Sequence, residues 1–218
     1  MAKARTYGDR CGVARALDLV GERWALLIVR DLLLGPKRFT DVQSGLSTLS
    51  PDVLTQRLRD LSDGDVIRRR KLPPPASSWV YELTDWGREL EPIVTALGQW
   101  GTHAPLPAGV TRVGADSMML SIRLAFSPER AADLAATYLV RLDGQPFAVQ
   151  VSGGAVEVRR DEPLDADATI DTDPDTLQAL LWDGRSLRSA LRAGELAITG
   201  DRALVDRFVT LFPVTTPA

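Results

Sequence analysis

The stretch SPDVLTQRLRDLSDG, residues 50–64, decides the fold. Ser50 is a natural N-cap, because its hydroxyl can accept from the unpaired N–H groups of a first helical turn. Pro51 suits the first helical position, where its missing N–H costs nothing. Asp52 suits the positive end of the helix dipole. Leu54, Leu58 and Leu61 fall on one face at helical spacing, and Asp63-Gly64 ends the run. The spacing predicts a helix over 51–62 with a leucine inner face. Its outer face carries Asp52, Thr55, Gln56 and Arg59. Those side chains are ones that read base edges: glutamine pairs with adenine, and arginine with guanine or a phosphate.

Upstream of this helix the pattern is helical. Val13, Ala16, Leu17 and Val20 form the i, i+3, i+4, i+7 stripe of an amphipathic helix over 13–20. A second, more buried helix is expected over 23–34, closed by Gly35-Pro36. After Phe39 a short helix over 40–46 is expected, with Thr40 as its cap. Downstream the period changes to two. Residues 66–72 and 79–83 are expected as the strands of a hairpin, joined by a loop holding Pro73, Pro74 and Pro75. A long helix over 84–100 follows, with Trp86, Leu90, Ile93, Val94, Leu97 and Trp100 as its apolar residues. This order is that of a winged helix-turn-helix, with 51–62 as recognition helix and 65–83 as wing. In the wing, Arg68-Arg69-Arg70-Lys71 offers positive charge to phosphates or the minor groove. Alternation separates Arg68 and Arg70 from Arg69 and Lys71, and the second pair is favoured for DNA. Arg38, Thr40 and Ser50 complete the candidate DNA-contacting set.

The segment 102–114, THAPLPAGVTRVG, has two prolines, two glycines and little apolar periodicity. It divides the chain into a domain over 1–104, a linker over 105–114 and a second domain over 115–218. In the second domain the expected elements are a strand over 117–126 and a helix over 128–140 capped by Ser127. Strands over 147–152 and 155–159 follow, joined through Gly153-Gly154. Then come a strand over 168–172, a helix over 174–181 capped by Asp173, a helix over 186–192, a strand over 196–199 and a helix over 203–211. The fold class is a winged helix-turn-helix, mostly α with a β-hairpin wing, followed by an α+β domain.

Composition narrows the function. The chain is 44% hydrophobic and 25% charged, as ordinary globular proteins are. No apolar run approaches the ~18–20 residues of a membrane span, and the first ten residues lack the apolar core of a signal peptide. The single cysteine, Cys11, excludes an internal disulfide framework and a cysteine-based zinc site. The expected location is therefore the cytoplasm, with no membrane partner, no metal and no cofactor. The net charge of −3 conceals a division. Residues 1–104 carry 15 Lys and Arg against 13 Asp and Glu, whereas 105–218 carry 11 against 16. The first half is thus net positive by two, as a DNA reader needs only local positive charge.

Residues 11–101 resemble the HxlR family of winged-helix regulators. The matching residues are Cys11, GERW at 21–24, LLLGPKRFTDV at 32–42, LSPDVLTQRLRDL at 49–61, YELTDWG at 81–87 and LGQW at 97–100. A Pro-rich wing tip stands where polar residues are usual. The resemblance implies a homodimer, formed by helix 13–20 and helix 84–100, on a double-stranded DNA operator of two half-sites. The two tryptophans of 84–100 independently ask for a covering surface, on this subunit or a second.

The second half resembles the sterol-carrier-protein-2-like fold through 167–212, in particular the strand LAITGD and the helices around Gly184 and Gly194. That fold generally encloses an apolar tunnel, which implies a small apolar or lipid-like effector. Leu177, Leu180, Leu181, Trp182, Leu187, Leu191, Phe208 and Phe212 are the candidate lining. Equally, they are the core that any domain of this size needs.

Other residues carry less. Cys11 sits where some HxlR relatives place a redox-sensing cysteine, with Arg5, Arg10 and Arg15 near enough in sequence to favour a thiolate. Its alternative is an inert thiol near the dimer seam. The only histidine, His103, has no catalytic partner, so no Ser/His/Asp site is expected and the chain is not expected to be an enzyme. The acidic residues between 161 and 175 lack the glycine and closing glutamate of a calcium loop. The expected function is a dimeric DNA-binding repressor. The rival is a hydrophobic-ligand carrier whose first domain serves to dimerise.

Overall fold

Leucine at three points of one helix organises the first unit. Leu54, Leu58 and Leu61 of α4 (Pro51–Asp63) are buried, and Ser50 caps that helix by accepting from the Val53 N–H at 3.4 Å. Each such side chain contributes about 2 kcal/mol when fully buried. Ile28, Val29 and Leu32 of α2 (Ala25–Leu32) and Val42 of α3 (Phe39–Gly45) are buried in the same unit. The helix α1 (Gly12–Val20) lies against α4. A computed structural model describes residues 6–105, 109, 112–131 and 133–213. By its internal contacts the chain divides into two units, Met1–Pro105 and Leu106–Ala218. Within the expected linker, residues 106–108, 110 and 111 lie outside the described residues.

Strands β1 (Ile67–Lys71) and β2 (Trp79–Leu83) form the antiparallel wing, with Arg69 opposite Tyr81 and Lys71 opposite Trp79. Lys37 adds a third rung, its N–H and C=O both bonded to the backbone of Tyr81. Lys37 is only 1% exposed and its ammonium reaches the carboxylate of Asp31 in α2, a residue 0% exposed, at 3.3 Å. Arg30 bonds the other oxygen of Asp31 twice, at 2.8 and 3.0 Å. A buried pair of this kind costs about 3–5 kcal/mol when one partner is removed. It fixes the wing's root to α2. The YELTDWG motif also acquires a physical reason here. Thr84 accepts from the Gly87 N–H at 2.9 Å, and a Cβ on Gly87 would stand 1.9 Å from the Val66 carbonyl oxygen.

Two expectations fail in the first unit. The long helix over 84–100 is two helices, α5 (Asp85–Arg88) and α6 (Glu91–Gly101). Pro92 explains the break, because it has no N–H to donate back to Arg88. The short helix begins at Phe39, one residue before the expected cap Thr40. Arg38 holds the cap position, and its N–H donates to Asp41 at 3.0 Å.

The second unit is a five-stranded mixed sheet in the order β5-β4-β3-β6-β7. Its strands are β3 (Ala136–Leu142), β4 (Gln145–Ser152), β5 (Ala155–Arg159), β6 (Ala168–Thr172) and β7 (Leu196–Gly200). Only β3 and β6 pair in parallel. Helices α7 (Ala115–Ala125), α8 (Pro174–Leu181), α9 (Leu187–Ala193) and α10 (Arg202–Phe208) accompany the sheet. Tyr138 and Phe208 rings lie 4.9 Å apart, Phe208 and Phe212 5.0 Å, making an aromatic core under α10. Gly200 is required where it stands: its φ is +86°, and a Cβ would approach the Asp167 carbonyl oxygen to 2.5 Å.

The start of this unit reverses the sequence expectation. Of residues 117–126, expected as a strand, all but Phe126 belong to helix α7, and Phe126 is its C-cap. Its buried residues Ala115, Met118, Met119 and Ile122 follow helical spacing, a signal hidden inside a nearly continuous apolar run. Residues 128–140, expected as a helix, hold a 3-10 turn over Glu129–Ala131 and then the start of β3. This strand is central and buried on both faces, so it shows no alternation. The hydrogen bonds of two neighbouring strands outweigh the helical propensity of its alanine and leucines.

Candidate nucleic-acid interface

The nine residues expected at DNA are all exposed, and they come from three adjacent elements of the first unit. Asp52, Thr55, Gln56 and Arg59 share the outer face of α4, opposite the leucine stripe. Their states differ. Thr55 donates its hydroxyl to the Pro51 carbonyl at 2.8 Å, which leaves its oxygen free to accept. The Gln56 amide donates to Asp60 at 2.6 Å, and Asp60 also holds Arg57 at 2.8 Å. Bidentate adenine recognition requires Gln56 to release Asp60. Arg59 has no ion pair or hydrogen bond among the described residues. It is the cation on this face with an unspent charge among the described residues. Ser50 caps the helix, so its hydroxyl already serves the backbone.

A further residue on this face escaped the sequence reading. Val53 is 39% exposed, an apolar side chain on the first turn of an otherwise polar surface. The signal was available, since Val53 falls off the Leu54, Leu58, Leu61 stripe. Apolar groups at such positions meet the methyl group of thymine.

In the wing the four cations separate into two pairs. Arg68 and Arg70 both reach Glu82 of β2, at 2.7 and 2.8 Å. Glu82 is itself buried, and its pKa is held below the usual glutamate range. The largest cause is the hydrogen bond from Arg70; burial opposes it, and Arg68 reinforces it. One carboxylate thereby holds both guanidiniums and offsets one of their two charges. On the other face Arg69 stacks over Trp79 at 4.5 Å, and Lys71 stands opposite Trp79 with no ion pair among the described residues. Arg38 donates to Ser78 at 3.1 Å, which ties the start of α3 to the loop between the wing strands. Thr40 follows it, with its hydroxyl turned toward Asp41 at 3.4 Å.

Two helices of the same unit present apolar faces to solvent. On α1, Val13 is 67% exposed and Leu17 41%. On α6, Ile93, Leu97 and Trp100 are exposed, Trp100 to 73%, and no residue of that helix is buried. Cys11 is exposed at the N-cap of α1. Its thiol pKa is lowered, and the cause is the N–H groups of Ala14 and Val13, not the neighbouring arginines.

The second unit holds an open groove of about 1130 Å³, bordered by α9, α10 and the end of α8. The eight candidate lining residues divide around it. Leu180, Leu187 and Leu191 border the groove, while Leu177, Leu181, Phe208 and Phe212 are buried in the core. Trp182 is half-buried, and its indole N–H donates to the Phe212 carbonyl at 3.1 Å. Sequence reasoning did not single out the arginines that share the rim.

Comparison with known proteins follows the same division. The profile of the HxlR-like helix-turn-helix family matches residues 19–106, and that of the SCP-2 sterol transfer family matches residues 123–213. The uncharacterized HTH-type transcriptional regulator YvaP of Bacillus subtilis is 38% identical over 89 residues, 41% of this chain and 82% of YvaP. The uncharacterized HTH-type transcriptional regulator Mb3122 of Mycobacterium bovis is 39% identical over 98 residues, 44% of this chain and 61% of Mb3122. Among solved structures, the redox regulator HypR in its oxidized form is 29% identical, covering 44% of this chain and all of HypR, with a TM-score of 0.42. The first unit is a winged helix-turn-helix, and the second is a mixed sheet with helices consistent with an SCP2-like domain.

Proposed function

Because the chain belongs to the HxlR-like helix-turn-helix family, we propose that it is a transcriptional regulator that represses by binding a duplex DNA operator as a homodimer. One observation carries the reading: the capped helix α4 turns its leucines inward and presents Val53, Thr55, Gln56 and the unpaired Arg59 to solvent. Arg59 takes a guanine edge, Gln56 an adenine edge once freed from Asp60, and Val53 a thymine methyl. Arg38, Arg69 and Lys71 hold phosphates, which set register without reading sequence. Arg68 and Arg70 take the smaller part, since both are held by Glu82, which offsets half of their charge.

The exposed apolar side chains of α1 and α6 support the dimer. Val13, Leu17, Ile93, Leu97 and Trp100 gain about 25 cal/mol for each Å² of apolar surface they withdraw from water. A two-fold dimer repeats the same patch on both copies and sets two recognition helices against two half-sites. The second unit is the effector module. Its ligand shifts the population of DNA-competent dimers by binding the two states unequally.

Selection of bound duplexes from a random library tests the reading. The expected product is a two-fold-symmetric sequence with half-sites ~34–36 Å apart, one helical turn. Three phosphate-holding cations from each of two subunits neutralise six phosphates. The logarithm of affinity then falls against the logarithm of salt with a slope of about −5. A carrier that uses its first unit only to dimerise enriches no sequence, even at low ionic strength, and that outcome removes the regulator reading.

A further inference from the structure

We propose that the groove bordered by α9 and α10 binds an organic anion with a short apolar chain, such as an alkyl phosphate. This rests on the second unit being the effector module. The first argument is charge segregation. Residues 105–218 carry 16 acidic and only 11 basic side chains, yet Arg185, Arg188, Arg192 and Arg202 all border this one groove. Asp206 is the single carboxylate among the groove's bordering residues.

The second argument is that three of these four charges are not spent among the described residues. Arg185 is held by Glu195. Arg188, Arg192 and Arg202 have no ion pair or hydrogen bond among the described residues. Elsewhere in the unit, Arg141 pairs with Glu162 and Asp171, Arg159 with Glu157, and Arg160 with Asp116. Arg188 and Arg192 are moreover four residues apart on α9, so two like charges share one face of a short helix. That arrangement opposes the helix unless a counter-charge sits between them. A phosphate or carboxylate supplies it, and the planar guanidinium fork matches either group through two hydrogen bonds.

The third argument is the apolar side of the same groove. Leu187 and Leu191 line it from α9 and are half-buried, with Val209 joining them. An alkyl chain laid there leaves water while its head stays among the arginines. The ligand expected from sequence was apolar and enclosed; the groove is open and its rim is cationic.

Calorimetric titration of the full chain with octyl phosphate, 1-octanol and inorganic phosphate tests this. Octyl phosphate is expected to bind once per chain. Octanol and phosphate are expected to bind at least ten-fold more weakly, because each supplies half of the recognition. The triple variant Arg188→Gln, Arg192→Gln, Arg202→Gln alters exposed side chains only, and circular dichroism checks that it folds. It should lose at least ten-fold in octyl phosphate affinity and keep its duplex affinity. Octanol binding as tightly as octyl phosphate overturns the proposal, and so does an unchanged affinity in the triple variant. A variant that keeps octyl phosphate but loses DNA assigns the arginines to the duplex and overturns it equally. Because duplex binding is measured separately without ligand, failure of the anion site leaves the regulator reading standing.

Discussion

At the scale of single residues, what decides function is which charges the fold has already used. The sequence offers Arg59 of the recognition helix to DNA and, in the wing, favours Arg69 and Lys71 over Arg68 and Arg70. The structure commits Arg57 to Glu22 and Asp60, and Arg68 and Arg70 to Glu82. It leaves Arg59 unpaired. Arg59→Ala should therefore cost about 1–3 kcal/mol of operator binding and relax the preference at one base pair. Arg68→Ala should leave duplex affinity within about twofold of the parent, a change of roughly 0.4 kcal/mol. Fluorescence anisotropy with the selected operator and with single-base variants measures both. Equal losses from the two substitutions would contradict the assignment. Alternation in the strand was enough to favour Arg69 and Lys71, but the reason for the separation, Glu82, lies on the facing strand.

At the scale of elements, the wing depends on a carboxylate shared by two guanidiniums. Glu82 has a folded pKa below its unfolded value near ~4.3. Its contribution to stability is thus fully present above that unfolded value and is lost as pH falls through the lower, folded one. Melting of the parent should weaken through this acidic window, and Glu82→Gln should remove the part of that pH dependence that Glu82 supplies. Identical pH profiles for parent and variant would refute the linkage. The elements themselves were legible where one signal dominated: Ser50-Pro51 for α4, Asp173-Pro174 for α8, and Gly153-Gly154 between β4 and β5. They were misread where signals competed. The run from Met118 to Leu124 satisfies strand and helix alike, and residues 136–140, the end of an expected helix, are taken by the sheet.

At the scale of the whole molecule, the two units differ in charge and in what they leave exposed. The first has an apolar helix, α6, with no buried residue. Covered by a second copy, it should make the chain dimeric, and Trp100→Glu together with Ile93→Glu should yield a folded monomer with weakened operator binding. Analytical ultracentrifugation measures the mass, and a dimer that persists in the double variant would place the interface elsewhere. The sequence by itself determined the winged helix-turn-helix, the outward residues of α4 and the change of composition near residue 105. Those depend on short-range periodicity, caps and turns, which neighbouring residues encode. Tertiary structure alone decided that β3 is a strand, that Glu82 holds two arginines, that Lys37 and Asp31 meet in the core, and that four arginines gather at one groove. Each of these joins residues distant in the chain or trades local propensity for buried contacts, and such exchanges are settled only when the surfaces meet.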